Sequence, residues 1–341
     1  MDLTLLQETL ARHGEPRFRA RQVWAWAARG ARDYSEMTDL PAALREALAR
    51  AVPFSTLSLR SEARARDGTV KALFATGDGR PLETVLMRYR DGRRSLCVSS
   101  QSGCALDCGF CATGRMRFAR NLTAAEILDQ ALHFRRLDGA APLTHCVFMG
   151  MGEPMLNLDA VLAACDRLPE LGVSHRHTTV STVGWIPGIE ALAAQPLPLR
   201  LALSVHAADE ALRSELMPVN DRYPLADVID AARAFHERKR RRVFVEYVML
   251  ARVNDRFEQA IALARLLAVD GDGGAAFRPP IFKVNLIPYN PIGEEGFSGS
   301  SREAIAAFAS ALRERGVPAT VRLTRGREID AACGQLAARE A

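Results

Sequence analysis

From Ser95 onward, short apolar runs rich in β-branched residues alternate with longer runs whose apolar residues recur three and four apart, and no other feature restricts the fold as tightly. Residues 96–100, 146–149, 178–183, 199–205, 243–250 and 281–287 read as strands. Helices are expected after Thr123, where Thr-Ala-Ala-Glu spells a capping box, then over 158–168, around Ile189, and over 225–238, 257–267 and 302–315. Parallel neighbours in a sheet need a crossover of about a dozen residues or more, which a helix supplies. The repeated strand–helix pairs therefore predict an α/β fold with helices outside a parallel sheet. Six units, then a short strand at 320–323, point to a partial (βα)6 TIM-like barrel rather than a closed eight. Chemistry in such a barrel belongs to the loops at the carboxyl ends of the strands.

The first 90 residues have a different texture. Residues 5–12, 20–28 and 40–51 carry helical spacing, and 57–59, 69–75 and 82–88 alternate like small antiparallel strands joined by Asp-Gly and Gly-Asp-Gly turns. A small α+β domain over 1–90 is expected, with the barrel and a tail over 91–341. At 48% hydrophobic and 25% charged residues the chain is neither collagen-like nor disordered. No run approaches the roughly 20 apolar residues of a membrane span, and the first residues lack a basic segment followed by an apolar core. Seven cysteines, an odd number, suit thiols in a reducing cytosol better than a set of bridges, so a cytoplasmic protein without a membrane partner is expected. All but three of the 45 basic residues are arginine, whose planar fork suits phosphate and stacks on bases. The Ala-, Arg- and Gly-rich spelling is also what a high-GC coding bias produces, so charge alone decides little.

Cys104-Ala-Leu-Asp-Cys108-Gly-Phe-Cys111 follows the first barrel strand, where a reactive loop is expected. Three thiolates this close can wrap one soft metal centre. A structural zinc site would want four ligands, and three buried thiols with no metal are the plainest alternative. A four-iron cube held by three cysteines keeps one iron without a protein ligand, a vacancy suited to direct substrate binding. Gly150-Met-Gly-Glu-Pro154, after the second strand, reads alone as a turn, with glycines that let backbone approach a ligand.

With Phe110 before the third cysteine, this run resembles the radical S-adenosylmethionine (SAM) superfamily, and the Gly150–Pro154 segment resembles its Gly-Gly-Glu motif. Segments 99–114, 148–157, 203–207, 217–220, 246–250, 284–291 and 325–337, in that order, resemble the RlmN/Cfr family of RNA methyltransferases, and 40–48 resembles that family's small N-terminal domain. The resemblance implies a [4Fe–4S] cluster on Cys104, Cys108 and Cys111, and SAM contacts at Gly152, Glu153, Ser181, Ser204, Val205, His206 and Asn290. Read alone, His206 is a core or loop histidine, Glu83 a strand-surface carboxylate and Cys97 a small core hydrophobe, whereas Cys333, among Ala331, Ala332 and Gly334, lies in a segment of little bulk that could cover the barrel mouth. In the family's terms Cys333 carries a methyl group, Glu83 takes the adenine C2 proton, and Cys97 frees the methylated base by forming a disulfide with Cys333. Cys146 and Cys165 fall in apolar patterns and read as core.

The activity implied is formation of 2-methyladenosine in 23S rRNA and in tRNA, with two SAM molecules per turnover. An electron donor such as flavodoxin or ferredoxin and a monomeric enzyme are also expected. Two alternatives stand beside it: Cfr-type methylation at C8 of the same rRNA adenosine, and a non-catalytic, zinc-stabilised RNA-binding module. The stretch Glu328-Ile-Asp330 resembles the C2 enzymes more. Arg115, Arg117, Phe118 and Arg120 follow the cysteine loop and could meet phosphate and base, whereas Arg238–Arg242 reads equally as a solvated helix end.

Overall fold

Apolar residues at helical spacing fold the amino-terminal segment into α1 (Leu3–Arg12), α2 (Phe18–Arg29) and α3 (Ala42–Ala51), which bury Leu6, Leu10, Trp24, Leu44 and Leu48. This computed structural model describes residues 1–137, 141–268, 280–293 and 296–338. A meander follows: β1 (Leu57–Arg64), β2 (Val70–Thr76) and β3 (Pro81–Arg88) are antiparallel neighbours, with a register shift between Leu59 and Ser61. β3 then pairs antiparallel with β4 (Arg94–Cys97), placing Val85 opposite Cys97. The meander thus extends the barrel's own sheet and is no separate layer.

The six expected strand–helix units are present. After β4 come a short hairpin, β5 (Gln101–Ser102) with β6 (Arg120–Asn121), and α4 (Ala124–Arg136), opened by the Thr123–Glu126 capping box. The next units are β7 (His145–Phe148) with α5 (Leu158–Arg167), and β8 (Thr178–Thr182) with α6 (Ile186–Ala194). β9 (Arg200–Ser204) is followed by α7 (Glu210–Leu216) and α8 (Leu225–Lys239), and β10 (Val243–Met249) by α9 (Phe257–Leu267). β11 (Phe282–Pro288), α10 (Arg302–Glu314) and β12 (Ala319–Val321) complete the series. Strands β4 and β7 to β12 are parallel in sequence order.

Three departures have local causes. The first barrel strand ends at Cys97 rather than residue 100, because the amides of Ser100 and Gln101 turn to the Met151 carbonyl and leave the sheet. Helix α7 was not expected; Asp209 caps it by accepting from the Leu212 amide, a signal hidden in a polar loop. The β5–β6 hairpin is too short to carry a periodic pattern.

Alternation along the barrel strands separates two environments. Cys146, Val180, Leu201, Leu203, Val245, Tyr247, Val284 and Leu286 are buried in the apolar core. The residues between them, including Ser95, Cys97, Thr179, Ser181, Glu246, Asn285 and Thr320, line open cavities within the barrel. The bore is therefore polar and unfilled while the outer layer is a packed core. In that layer Tyr247 meets Phe308 of α10 at a ring-centroid distance of 5.2 Å. Replacing Phe308→Ala should cost about 3–5 kcal/mol through lost burial and a residual cavity, read as a lower urea midpoint of the ligand-free protein. An unchanged midpoint would show that α10 unfolds independently of the barrel.

Candidate active site

The strand-end loops converge through backbone pairing. Ser99 bridges them: its hydroxyl donates to the Glu83 carbonyl (2.5 Å) and accepts from the Met151 amide (2.9 Å). Gln101 Oε1 accepts from the Glu153 amide at 2.9 Å. Between these anchors Gly152 has φ 93°, and a Cβ there would lie 2.4 Å from Gln101 Cβ. Only glycine tolerates that conformation and that approach. The Gly150–Pro154 turn is thereby pressed against the start of the cysteine loop.

Glu153 points into a cavity of about 160 Å³ whose walls include Cys111, Gly152, Ser181, Ser204, His206 and Cys333. Its carboxylate accepts from the amides of Met155 and Val183, both at 3.0 Å, but no cation lies within ion-pair distance among the described residues. Burial pushes its carboxyl up to about 7, with the backbone hydrogen bonds opposing the shift. A buried carboxylate without a counter-ion and facing open space favours a ligand that brings an ammonium. SAM carries such a group, so these residues fit it.

His206 adopts a left-handed backbone, φ 59°, rare for a residue with a side chain. Two contacts hold it there: the Val248 amide donates to its Nδ1 (3.0 Å), and Asn254 Nδ2 donates to its carbonyl (2.8 Å). Burial, with Arg213 nearby, pushes its ring down to about 3, so it is neutral, and with Nδ1 accepting, Nε2 bears the proton. Its ring packs edge-on to Phe110 of the cysteine loop at 4.6 Å. Val205 is buried outside the cavity wall, its amide bonded to the Glu246 carbonyl. Asn290 lines a different cavity and donates to the Cys333 carbonyl at 3.3 Å.

The three loop cysteines titrate against one another. Burial is the main cause that raises all three thiols, Cys104 to about 11 and Cys108 further, and each feels a neighbouring sulfur of the trio or Cys333. As thiolates they would repel; a cationic centre removes that penalty by deprotonating its ligands outright. Among the described residues no three His, Cys, Asp or Glu side chains stand in single-ion geometry. Three thiols on one loop are one short of the four ligands of a structural zinc site and match a cube that keeps one iron free of protein, so the donor set fits a cluster.

Cys333 and Cys97 differ sharply in environment. Cys333 is exposed and walls both the first cavity and a second one of about 510 Å³; Cys97 is buried and walls only the second. Burial, with Cys333 adding and Arg322 opposing, pushes the Cys97 thiol up to about 12. Arg322 Nη1 stands 3.8 Å from Cys333 Sγ and 3.5 Å from Glu246 Oε2. Asn285 donates to Glu246 Oε1 (2.9 Å) and accepts from Thr320 (2.8 Å), completing a polar chain across the bore. Sequence reasoning missed Glu246, Asn285 and Arg322. The signal was present as a charged or amide residue in the middle or at the end of an otherwise apolar strand.

Glu83 is brought elsewhere. It is fully buried in β3, paired with Lys71 at 2.8 Å, and its Oε2 accepts from the amides of Ala337 and Ala338 (2.9 and 3.0 Å). It walls a third small cavity with Lys71 and Gln335 and does not line either cavity that contains Cys333. Arg115, Arg117 and Phe118 are exposed beside the cysteine loop, but Arg120 is committed to Asp78 and Glu126, both at 2.7 Å. Arg238–Arg242 spans the end of α8 and the approach to β10, at the amino ends of the parallel strands. Cys146 and Cys165 are buried core.

A partial barrel carrying a three-cysteine loop and a Glu-bearing turn at its strand ends defines a radical SAM protein, and the Radical SAM superfamily model matches residues 98–264. The Ribosomal RNA large subunit methyltransferase N-terminal domain model matches residues 1–52. A probable dual-specificity RNA methyltransferase RlmN of Gemmatimonas aurantiaca is 50% identical, covering 98% of this chain and 90% of that protein. The protein of the same description from Chloroflexus aurantiacus is 48% identical over 99% of this chain and 92% of its own length. The crystal structure of a radical SAM methyltransferase from Sphaerobacter thermophilus superposes with a TM-score of 0.90 at 45% identity, covering 99% and 98% of the two chains. The chain belongs to the RlmN family of radical SAM RNA methyltransferases, enzymes that use a [4Fe–4S] cluster and SAM. The non-catalytic zinc module is thereby set aside.

Because Glu153 binds its proton more tightly in the folded state, its contribution to stability is complete below the ordinary carboxyl range and is lost as pH rises towards about 7. Ligand-free Glu153→Gln should therefore melt higher than the parent at pH 8 and close to it at pH 4.5 (the ordinary range of the group). The same variant should bind SAM at least about tenfold more weakly, a loss of about 1.4 kcal/mol, by equilibrium dialysis. Equal melting at the higher pH would mean that the carboxylate already has a counter-ion.

Proposed function

We propose that this enzyme methylates C2 of an adenosine in 23S rRNA and in tRNA, with the new carbon carried on Cys333. The observation that carries this reading is the position of Cys333, an exposed thiol in the wall of the cavity that also holds Glu153, His206 and Cys111. The relatives are named as dual-specificity RNA methyltransferases RlmN, which supports more than one RNA substrate; the C2 product follows from the resemblance to that branch of the family. A cluster held by Cys104, Cys108 and Cys111, with SAM against Gly152, Glu153, Ser181, Ser204 and His206 and, by resemblance, Val205 and Asn290, would supply the one-electron chemistry that an electron-poor aromatic carbon requires.

The chain's own residues divide the remaining work. Cys333 Sγ, exposed in the cavity wall with Arg322 Nη1 3.8 Å away, accepts a methyl group by displacement. Once that carbon is joined to adenine C2, the former C2 proton passes to a carboxylate. Glu83 has this role by resemblance, and it requires the Ala337 and Ala338 amides to release its Oε2. Glu246 is a second reading, because it lines both cavities at Cys333 and its Oε2 accepts no hydrogen bond. Cys97 then attacks the Cys333 sulfur, forming an S–S bond and releasing the methylated base; both are free thiols in this structure. Arg115, Arg117 and Phe118 offer the RNA a cationic, aromatic rim beside the cavity. We place the reaction in the cytoplasm, with a monomeric enzyme and a flavodoxin- or ferredoxin-like electron donor.

Position-resolved mass spectrometry of adenosine from a defined RNA, after anaerobic reaction, should show the methyl at C2; a C8 product would overturn the reading. Cys333→Ala should abolish transfer while cluster absorbance remains. Cys97→Ala should leave RNA covalently attached to protein on a denaturing gel, and free turnover of that variant would remove its resolving role. Glu83→Gln should arrest proton loss in the same assay; if it turns over and Glu246→Gln stalls, the base is Glu246.

A further inference from the structure

The second cavity runs through the bore to the end of the barrel opposite the cysteine loop. Cys97 and Cys333 lie at its inner end; Arg93, His145, His177 and Arg200, at or just before the first residues of their strands, line its outer mouth. Its volume of about 510 Å³ lies within the range of small-molecule sites. Among the described residues no carboxylate lies within ion-pair distance of Arg200, nor of Arg176 and Arg241, whose charges repel one another around the same rim. The His145 and His177 rings stack at 4.5 Å, and burial first, then His177, Arg93 and Arg200, disfavour a proton on His145. Asp91, paired with Arg93 at 2.7 Å, is the acidic group facing this cluster. Arg200, with Arg176 and Arg241 beside it, is the uncompensated charge at the mouth, and like charges at the mouth of a low-dielectric cleft focus a positive potential into it.

Cys97 faces only this cavity. An RNA seated over the first cavity leaves the far mouth open. We infer that the second cavity admits a small anionic thiol from the amino-terminal end of the barrel, which reduces the Cys97–Cys333 disulfide after each turnover. This rests on the disulfide step proposed above. The step balances: one thiolate attacks the S–S bond, giving a mixed disulfide and one free cysteine, and a second thiol displaces the first. Two cysteine thiols and one small disulfide result, with the two protons supplied by the two thiols. A carboxylate on the reductant matches the arginine rim, and an ammonium opposes it.

The test uses holoenzyme taken through a single turnover without thiol, then exposed to mercaptoacetate or cysteamine at equal thiolate concentration. Free cysteines are alkylated and counted by mass spectrometry. Mercaptoacetate should restore the pair about tenfold faster than cysteamine, and high salt should collapse the difference. Replacing Arg93→Glu and Arg200→Glu together should reverse the preference, a ratio measured within one protein sample and so independent of the fraction folded. Equal rates for the two thiols in the parent, with the disulfide present, would overturn the access route alone. A preference that survives the double replacement would overturn its assignment to this mouth. If no disulfide forms in the single turnover, the underlying reaction sequence falls, and the route falls with it.

Discussion

The Glu246–Arg322 pair crosses the bore where the two larger cavities meet, and the site is built against it. Glu246 is buried while the Arg322 side chain keeps about a third of its surface exposed, and taking a charge out of water is offset by attraction only when further hydrogen bonds satisfy the remaining atoms. Asn285 does so at the carboxylate Oε1, and Thr320 in turn donates to Asn285. On the guanidinium side the further neighbours are sulfurs, Cys333 at 3.8 Å and Met149 at 3.6 Å. An apolar pair of the same volume would stabilise a barrel at least as well. What the ion pair adds is a fixed cation beside a thiol.

Burial, more than that cation, separates the two cysteines. Cys97 sits in a strand, fully desolvated, and its thiol is held neutral. Cys333 sits on a loop, solvated and beside Arg322. An alkylating electrophile therefore meets only one competent sulfur. Cys97 becomes competent only after the environment around it changes, which is the order of events a carrier and a resolving thiol require. Burial sets this sequence, with no need for the two residues to differ chemically.

Much of this architecture was legible in the sequence. Every barrel strand was anticipated within a few residues, because parallel strands buried on one side by helices carry long β-branched runs. The same hydrophobic pattern concealed the inner face. Glu246 and Arg322 each interrupt an apolar run once, and only the barrel's closure shows that both interruptions point to one place. Val205 and Asn290 were singled out by position in a motif, yet the cavity wall around Glu153 contains neither. Strand alternation explains Val205, which follows inward-facing Ser204 and so turns away from the bore. Glu83 was a different difficulty. No local pattern reports that a tail some 250 residues later will donate two amides to it.

That tail ties the site together. The Gly334 carbonyl accepts from Ala112, next to Cys111, at 2.8 Å, and the Leu336 carbonyl accepts from Thr113 at 2.6 Å. Two residues further on, the tail amides reach Glu83. Cys333 is thus positioned by the cysteine loop on one side and by the meander strand on the other, and not by the barrel alone. Any rearrangement of the cysteine loop is transmitted through two hydrogen bonds to the neighbour of the nucleophilic sulfur. Release of the tail from Glu83 would in turn loosen the same segment. Movement of the methyl carrier and exposure of the carboxylate are consequently coupled by covalent continuity over a handful of residues, so a state with Glu83 free is also a state in which Cys333 is less tightly held.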